Sequence, residues 1–148
     1  MKRVILAVAG CMLVLGVTHA AHAARITWHG EKCLDVRGGN MANGTVAQIW
    51  DCGRGNPNQQ WVFDGHKIRW EGGKCLDVSG GGTANGTKVQ LWDCQRGNPN
   101  QEWFFEDGHF RSLIGNCVDV RGGNPANGNP VQMWQCQRGN PNQWFEIR

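Results

Sequence analysis

The chain has 148 residues, with 15 lysines and arginines against 12 aspartates and glutamates, 22 glycines, 7 cysteines and 8 tryptophans. Its formal net charge of +3, spread without any run of like charges, argues against a nucleic-acid-binding surface, which needs a clustered basic face. The length suits one domain with a modest hydrophobic core.

The first 23 residues have the pattern of a secretory signal peptide. A cationic start precedes the apolar segment 4–17, and Ala21-His22-Ala23 offers the small-x-small pattern of a cleavage site. We therefore predict cleavage after Ala23, a mature domain of residues 24–148, and export to the extracellular or periplasmic space. The apolar segment is shorter than the ~18 residues of a spanning helix, and no later stretch is comparable, so we expect no membrane span.

A lipobox-like sequence, Val8-Ala9-Gly10-Cys11, gives an alternative interpretation of this leader. It would make Cys11 a lipid anchor. It would also leave a very short signal and place the apolar residues 12–17 after it, so cleavage after Ala23 is the prediction we adopt.

The rest of the chain is a threefold repeat with a period of 42 residues, visible at Cys33, Cys75 and Cys117. Each unit has four short runs of alternating apolar and polar residues separated by glycine, asparagine and proline, which is typical of β-strands. Three units are fewer than the roughly four blades of the smallest propeller, and capping units for a solenoid are absent. We therefore predict a closed, threefold, all-β assembly. The units have these approximate bounds: 25–66, 67–108 and 109–148.

The six cysteines of the mature chain occur as two per unit at one constant spacing. Many pairings are possible in principle, but the repeat makes pairing within each unit the simplest. Zinc would need four soft ligands at close spacing, and His29, His66 and His109 lie in no such pattern. We expect no metal and no other cofactor. The predicted disulfides are Cys33–Cys52, Cys75–Cys94 and Cys117–Cys136.

Strand alternation predicts that one acidic and one aromatic side chain meet in each unit. In the first unit the apolar neighbours of Asp35 take the inner face of its strand, so Asp35 takes the outer face. The same alternation puts Gln48 and Trp50 on the outer face of the next strand. A Cys33–Cys52 bridge joins those two faces and holds Asp35 near Gln48 and Trp50.

An Asn-Gly pair lies between these two strands in every unit, at Asn43, Asn85 and Asn127. Asn-Gly is the strongest short hairpin signal, and such a hairpin needs positive φ at both turn positions. Asn43 and Asn85 also begin glycosylation sequons, but Asn127 does not. A tight hairpin turn therefore explains all three copies, whereas glycosylation explains only two.

The end of the third unit departs from the other two, because Trp144 directly follows Gln143. An ungapped alignment makes Phe145 the counterpart of the core residues Trp61 and Trp103. It leaves Trp144 as an additional, exposed aromatic side chain.

These motifs together resemble the ricin B-chain-like lectins, also classed as family 13 carbohydrate-binding modules. The motifs are Cys-x-Asp-Val at the start and Gln-x-Trp before the second cysteine in all three copies, and Asn-Gln-x-Trp after it in the first two. The third copy departs from the last motif, because Phe145 stands in place of the tryptophan. The resemblance implies a β-trefoil, in which three four-stranded units form a six-stranded barrel capped by three hairpins. It also implies one sugar site per unit. The implied sites are Asp35, Gln48, Trp50, Asn58 and Gln59; Asp77, Gln90, Trp92, Asn100 and Gln101; and Asp119, Gln132, Trp134, Asn142 and Gln143.

The residue types of these sites suit sugars. A carboxylate accepts hydrogen bonds from vicinal hydroxyls, an indole packs on the C–H face of a pyranose, and amides both donate and accept. We expect a secreted, multivalent lectin without catalysis, with galactose, N-acetylgalactosamine, or xylan or arabinan side chains as ligand. Aspartates related by the repeat lie too far apart for the paired carboxylates of a glycosidase, and no nucleophile has a matching base.

Two other functions fit the same implied fold. Trefoils also serve as receptor-binding subunits of toxins and as protease inhibitors or other protein-binding modules, and fold alone does not separate these from lectins. A partner enzyme or toxin chain is therefore an open possibility. The polar set in all three units argues against an inhibitor, which would need one distinctive loop.

Overall fold

The computed structural model describes residues 22–148, and the predicted leader up to residue 21, including Cys11, lies outside the described residues. No helix in the described part is long and apolar enough to span a membrane. The described residues form twelve short strands and six 3-10 helical turns. The strands are β1 Ile26–Trp28, β2 Lys32–Val36, β3 Thr45–Asp51, β4 Trp61–Asp64, β5 Lys67–Trp70, β6 Lys74–Val78, β7 Thr87–Asp93, β8 Trp103–Glu106, β9 His109–Ser112, β10 Cys117–Val120, β11 Val131–Trp134 and β12 Phe145–Ile147. The 3-10 turns are Arg37–Gly39, Pro57–Gln59, Ser79–Gly81, Pro99–Gln101, Arg121–Gly123 and Pro141–Gln143.

The first and fourth strands of the three units form a closed barrel. Strands pair across unit boundaries as β12–β1, β4–β5 and β8–β9. The first residue of each unit's fourth strand also bonds to a residue that lies one or two positions before that unit's first strand. In the first unit, the Trp61 N–H donates to the Ala24 carbonyl at 2.9 Å. Equivalent 2.8 Å bonds join Trp103 to His66 and Phe145 to Gly108, which closes the ring of six strands.

The second and third strands of each unit form antiparallel pairs that cap this barrel: β2–β3, β6–β7 and β10–β11. The third strands meet around the threefold axis through β3–β7 and β7–β11 pairing and a bridge between Gln48 and Pro130. Four strands per unit, a six-stranded barrel and three caps define a β-trefoil, which confirms the predicted fold.

Residues from all three units share one hydrophobic core. Trp61 and Trp103 are buried, and Phe145 is buried at the equivalent position, which confirms the ungapped alignment of the third unit. The two indole N–H groups donate to the carbonyls of Leu34 and Leu76, at 3.0 and 2.9 Å. Phe145 fills the same space without a donor.

A second core position also changes in the third unit, through two compensating substitutions. Trp70 is buried and donates its indole N–H to the Pro57 carbonyl at 2.8 Å. A Cβ atom on Gly72 would come within 2.3 Å of that ring, so the tryptophan requires a glycine there. The third unit has Ser112 in place of the tryptophan and Ile114 in place of the glycine, and Ile114 packs against the core.

The three predicted disulfides are present, Cys33–Cys52, Cys75–Cys94 and Cys117–Cys136, each with a Cα–Cα distance of 5.0 Å. Each bridge ties the second strand of a unit to the end of its third strand. By the loop-entropy estimate, closing a loop of this length stabilises the fold by about 3 kcal/mol.

The Asn-Gly pairs do not form the tight hairpin turns that the sequence predicts. Gly44 has a φ of +91°, but among the described residues the only non-glycine residues with positive φ are His29 and Asp107. The expectation of positive φ at Asn43 was therefore wrong, and the same holds in the other units. The reason is that a 3-10 turn at Arg37–Gly39 follows β2, so the connection is too long for a two-residue hairpin.

These asparagines instead link neighbouring units. The Asn127 side chain accepts the backbone N–H of Asp51 and donates to the Asp51 carboxylate, both at 2.9 Å, and it also accepts from Lys32 at 2.9 Å. Lys32 is ion-paired with Asp51 at 2.6 Å. Asn43 makes the corresponding contacts to the second unit. Among residues 22–148, Asn85 makes one such contact, accepting the Gln135 N–H at 2.7 Å, because Gln135 replaces the aspartate.

Candidate carbohydrate sites

Each unit holds one aspartate between two glutamine amides. Gln48 Nε2 donates to Asp35 Oδ1 at 2.9 Å, and Gln59 Nε2 donates to Asp35 Oδ2 at 3.0 Å. Asp35 and Gln48 are directly opposed on β2 and β3, as strand alternation predicts. The other units repeat the arrangement within 0.1–0.2 Å: Asp77 with Gln90 and Gln101 at 3.0 and 3.1 Å, and Asp119 with Gln132 and Gln143 at 3.1 and 3.1 Å.

The last glutamine of each predicted site is not available to a ligand, which corrects the sequence-based assignment. Gln59 is 0% exposed, and both ends of its amide are used. Besides Asp35, its Nε2 reaches the Asp51 carbonyl at 3.0 Å, and its Oε1 accepts the Gly53 N–H at 2.9 Å. The counterparts Gln101 and Gln143 are also 0% exposed. These glutamines position the aspartates and do not line the sites.

The aspartates form the floors of the sites. Asp35 is 2% exposed, and this burial raises its pKa above the ordinary value of 3.8, while the bonds from Gln48 and Gln59 act in the opposite direction. Each carboxylate oxygen accepts one amide hydrogen and has a second lone pair left. A charged acceptor of this kind makes the stronger class of hydrogen bond to a hydroxyl.

A tryptophan stands beside each aspartate and remains accessible. Trp50 is 43% exposed and opposes Cys33 across the β2–β3 pair. Trp92 and Trp134, at the same position, are half-buried. These indoles present a rigid apolar surface next to the carboxylate, whereas Trp61 and Trp103 lie in the core.

The Asn-Pro-Asn segment uses its two asparagines differently. The side chain of Asn56 accepts the backbone N–H of Asn58 at 3.0 Å and so caps the 3-10 turn that carries Gln59. Asn58 packs its amide against Gly39, where an added Cβ would lie 2.6 Å from Asn58 Oδ1. Gly39 also has a φ of +58°, so this close approach requires glycine. Asn58 therefore lies at the rim of the site with its amide held in place.

Surface depressions mark the second and third sites. The second has a volume of about 310 Å³, and four of its five predicted residues line it: Asp77, Gln90, Trp92 and Asn100. The third has a volume of about 690 Å³ and is lined by Asp119, Gln132, Trp134 and Asn142. In both, the missing residue is the buried glutamine.

The neighbouring unit completes the third depression, which sequence reasoning missed. Asn85 and Gly86, from the second unit, line it together with Arg121 and Asn140 of the third. Asn85 is placed there by its bond to the Gln135 N–H. The threefold repeat could have indicated this, since a cap that docks on its neighbour must approach the neighbour's outer strand face.

The first site differs from the other two because Arg37 crosses it. Its Nε donates to Gln48 Oε1 at 2.8 Å, and its Nη2 donates to the Gly128 carbonyl of the third unit at 2.9 Å. Ser79 occupies this position in the second unit, and Arg121 in the third makes no such bonds within residues 22–148. Gln90 Oε1 and Gln132 Oε1 likewise receive no hydrogen bond from the described residues. Among the three sites, a ligand hydroxyl that donates to this glutamine oxygen therefore meets an occupied acceptor in the first site.

Trp144 does not disturb the third site, although it follows Gln143 in sequence. It is 49% exposed, as predicted, and lies over Gly108, where an added Cβ would come within 2.8 Å of its ring. Its ring is 6.1 Å from that of His109, edge to face. The Gln143–Asp119 bond keeps its length, so the third polar set is as complete as the others.

The chain belongs to the ricin-type β-trefoil lectin family, whose domain model, described as "Ricin-type beta-trefoil lectin domain", matches residues 23–145. Among individual proteins, the chain is similar to the Salmonella typhimurium protein named "Probable lipoprotein EnvE", with 41% identity over 58 residues. That match covers 39% of this chain and 32% of the relative, or about a third of the relative's length.

Two solved structures illustrate the same fold. One is the C-half of an earthworm R-type lectin in complex with GalNAc, which is 24% identical to this chain with a TM-score of 0.71. The aligned region covers 85% of this chain and 97% of the earthworm chain. An exo-beta-1,3-galactanase from Clostridium thermocellum, 1,3Gal43A, is 26% identical with a TM-score of 0.76. The aligned region covers 87% of this chain but only 30% of the galactanase chain, so this chain resembles one part of that enzyme.

Proposed function

We propose that this protein is an exported, non-catalytic lectin that binds neutral sugars through one shallow site in each unit. The observation that carries the proposal is the threefold occurrence of an accessible indole beside a buried, doubly hydrogen-bonded carboxylate. The family is one of carbohydrate-binding domains, and the proposal assigns that activity to particular side chains of this chain.

The roles within a site follow from the geometry. The free lone pairs of Asp77 and Asp119 accept hydrogen bonds from two neighbouring hydroxyls of one sugar ring, because a carboxylate offers about four lone-pair sites and the glutamines use two. Trp92 and Trp134 pack on the C–H face of that ring. Asn100 and Asn142, at the rim, bond to a further hydroxyl. Gln101 and Gln143 act only by holding the carboxylates in orientation.

Binding without turnover is proposed because the carboxylates serve three separate sites. Glycoside hydrolysis commonly uses an acid and a second carboxylate on opposite sides of one bond, at most about 10 Å apart. In this fold each aspartate faces its own tryptophan, and its nearest polar partners are glutamines. We therefore assign the aspartates to recognition.

The ligand class we favour is galactose or N-acetylgalactosamine, with xylan or arabinan side chains as the next candidates. The similarity to part of a galactanase and to a lectin bound to GalNAc supports the first pair. Each site is open and makes few contacts, so single-site affinity is expected on the order of millimolar, or about −4 kcal/mol. Three sites on one rigid domain can raise the apparent affinity for a dense glycan roughly 10²-fold.

Export is the second part of the proposal. Three disulfides are typical of proteins of oxidising compartments, and the predicted signal peptide and the similarity to a protein named as a lipoprotein agree with that. Mass spectrometry of the protein from its native envelope and medium fractions tests it. A chain beginning at Ala24 supports secretion, whereas a lipid on Cys11 would replace that prediction with an anchored form.

The sugar proposal is tested by calorimetric titration with galactose, N-acetylgalactosamine and xylose. Trp50→Ala, Trp92→Ala and Trp134→Ala each remove an accessible indole and leave the buried network intact, so each is expected to remove one site. Trp144→Ala is the control, because that indole is about as exposed as Trp50, at 49% against 43%, but lies outside the sites. The three site variants are expected to lower the stoichiometry, and the control is not.

Two results would contradict the proposal. If no sugar of a glycan array binds the folded protein, the family's activity has been lost in this chain. If a sugar binds but only Trp144→Ala changes the titration, binding occurs at a different surface and the assigned sites are wrong.

A further inference from the structure

A second depression adjoins the third site, at the boundary between the first and third units. It has a volume of about 320 Å³, which falls in the range of small-molecule sites. The turn after β1 contributes one wall, and the third unit contributes the other. The residues that matter here are His29, Glu31, Lys32, Pro125, Pro141 and Asn142.

Asn142 borders both this depression and the third site. Its Oδ1 lies against Gly123, where an added Cβ would be only 2.5 Å away, so the amide cannot move toward that turn. Its backbone N–H is bound to the Asn140 side chain at 2.9 Å, but its side-chain amide has no hydrogen-bond partner among residues 22–148. A fixed amide with free donors and acceptors thus lies between two adjacent depressions.

His29 is held across the gap between the two units. Its Nε2 lies 3.1 Å from the Pro141 carbonyl and must donate, since a carbonyl only accepts. The same carbonyl accepts the Trp28 indole N–H at 2.8 Å, and the two rings lie 4.2 Å apart, edge to face. Because Nε2 donates, Nδ1 of the neutral imidazole is an acceptor, and it has no partner among the described residues.

The backbone of His29 is also unusual. Its φ is +52°, whereas its counterparts Glu71 and Leu113 are not among the described residues with positive φ. Such a conformation is uncommon for a non-glycine residue, although histidine adopts it more readily than most. In this conformation the imidazole meets the Trp28 ring edge to face, and its Nε2 reaches the Pro141 carbonyl.

The corresponding gap beside the second site is bridged. Asn116, the counterpart of Lys32, donates its side-chain N–H to the Thr83 carbonyl at 2.9 Å, and Thr83 is the counterpart of Pro125. Beside the third site, no bond joins the counterparts Lys32 and Pro125 among residues 22–148. Lys32 is directed to Asp51 and Asn127 instead, which leaves the depression open.

We propose that the third site and this depression form one groove that binds a neutral oligosaccharide of at least two rings, continuous across Asn142. The inference rests on the proposed function, since its first ring is the sugar that packs on Trp134. The next ring lies between His29 and Pro125, with a hydroxyl donated to His29 Nδ1. The exposed carboxylate of Glu31 disfavours acidic sugars in this part of the groove.

NMR titration of the tryptophan indole N–H signals tests the groove. The probes are two pairs, each of a monosaccharide and a longer sugar: galactose with lactose, and xylose with xylotriose. The monosaccharide is expected to shift the Trp134 signal and leave Trp28 unchanged. The longer sugar of the same pair is expected to shift both and to bind the third site roughly tenfold more tightly, the factor that corresponds to about 1.4 kcal/mol.

His29→Gly is the matching variant, because glycine accepts the left-handed backbone and removes only the imidazole. It is expected to abolish the advantage of the longer sugar at the third site and to leave monosaccharide affinity unchanged. Leu113→Ala, at the counterpart position beside the second site, is the control and is expected to change neither.

The outcomes separate this inference from the lectin proposal. If Trp134 responds but the longer sugar gains no affinity and Trp28 is silent, the groove is refuted and the lectin stands. Equal losses for both sugars in His29→Gly would also refute the groove, because they indicate a structural effect. If Trp50, Trp92 and Trp134 respond to none of the four sugars, the assigned sites themselves fail.

Discussion

Replacement of a buried site glutamine tests whether the fold and the sugar site share one hydrogen-bond network. Gln59→Leu keeps the approximate size of the side chain and removes its amide. Three partners lose a hydrogen bond: the Asp35 carboxylate, the Gly53 N–H and the Asp51 carbonyl. Only Asp35 is buried, so water can replace the amide at the other two more easily.

The size of the effect follows from these partners. A buried group left without its partner costs about 1–3 kcal/mol, more when it is charged, and the partly exposed groups add a smaller cost. We expect the free energy of unfolding to fall by about 2–4 kcal/mol. For a domain of this size that corresponds to a drop in Tm of roughly 10 °C.

Gln60→Leu is the control, because the same substitution one residue later removes a single long bond of 3.4 Å from a partly exposed side chain. Calorimetric unfolding of both variants with disulfides intact measures the difference, and galactose titration measures the site. Gln59→Leu should lose binding at the first site although Gln59 touches no sugar. Equal Tm values for the two variants, or an unchanged first site, would refute the shared network.

Three further predictions concern Arg37, Asp35 and the asparagines that link the units. Arg37→Ser introduces the residue that the second unit has at this position, Ser79. It is expected to strengthen galactose binding at the first site up to roughly tenfold, because the ligand no longer displaces the two hydrogen bonds of Arg37. Weaker binding would mean that Arg37 contacts the sugar. NMR titration of the Asp35 carboxyl should give a midpoint above 3.8, because burial raises its pKa. The Asp35 carboxylate then binds its proton more tightly in the folded than in the unfolded state. Its contribution to the free energy of unfolding therefore grows as pH falls through the folded pKa. A midpoint at or below 3.8 would contradict this prediction. Asn127→Ala is expected to destabilise the protein by about 1–2 kcal/mol and Asn85→Ala by less than half of that. The reason is that Asn127 makes three bonds to the neighbouring unit and Asn85 makes one. Equal losses of stability in denaturant unfolding would be inconsistent with the linking role.

The sequence predicts those features that depend on periodicity. The 42-residue period places Asp35 opposite Gln48, pairs the cysteines within units, and identifies Phe145 as a core residue despite the irregular end of the third unit. Each of these follows from strand alternation or from the register of one repeat on another. Both are local properties that survive small changes of loop geometry.

Features that depend on how loops fold back are not predictable in this way. The amide of Gln59 is polar and lies among polar residues, so nothing in the sequence distinguishes a ligand contact from a buried support. Asn43 carries the strongest local signal for a tight turn, yet a 3-10 turn earlier in the loop changes its role to a contact between units. Arg37 crosses its site only because the carbonyl of Gly128, far away in sequence, lies within reach.

The buried network changes which residues argue most strongly for sugar binding. Three intact copies of Asp35, Gln48 and Gln59 would be retained for stability alone, because each removal orphans a buried partner. The accessible tryptophans have no such explanation. Trp50 is 43% exposed and contributes nothing to the core, and an exposed indole is costly for solubility. The third unit has Phe145 in place of a core tryptophan and still has Trp134 beside Asp119. An accessible indole next to the carboxylate, unlike the exposed Trp144 outside the sites, is therefore the feature that we assign to binding.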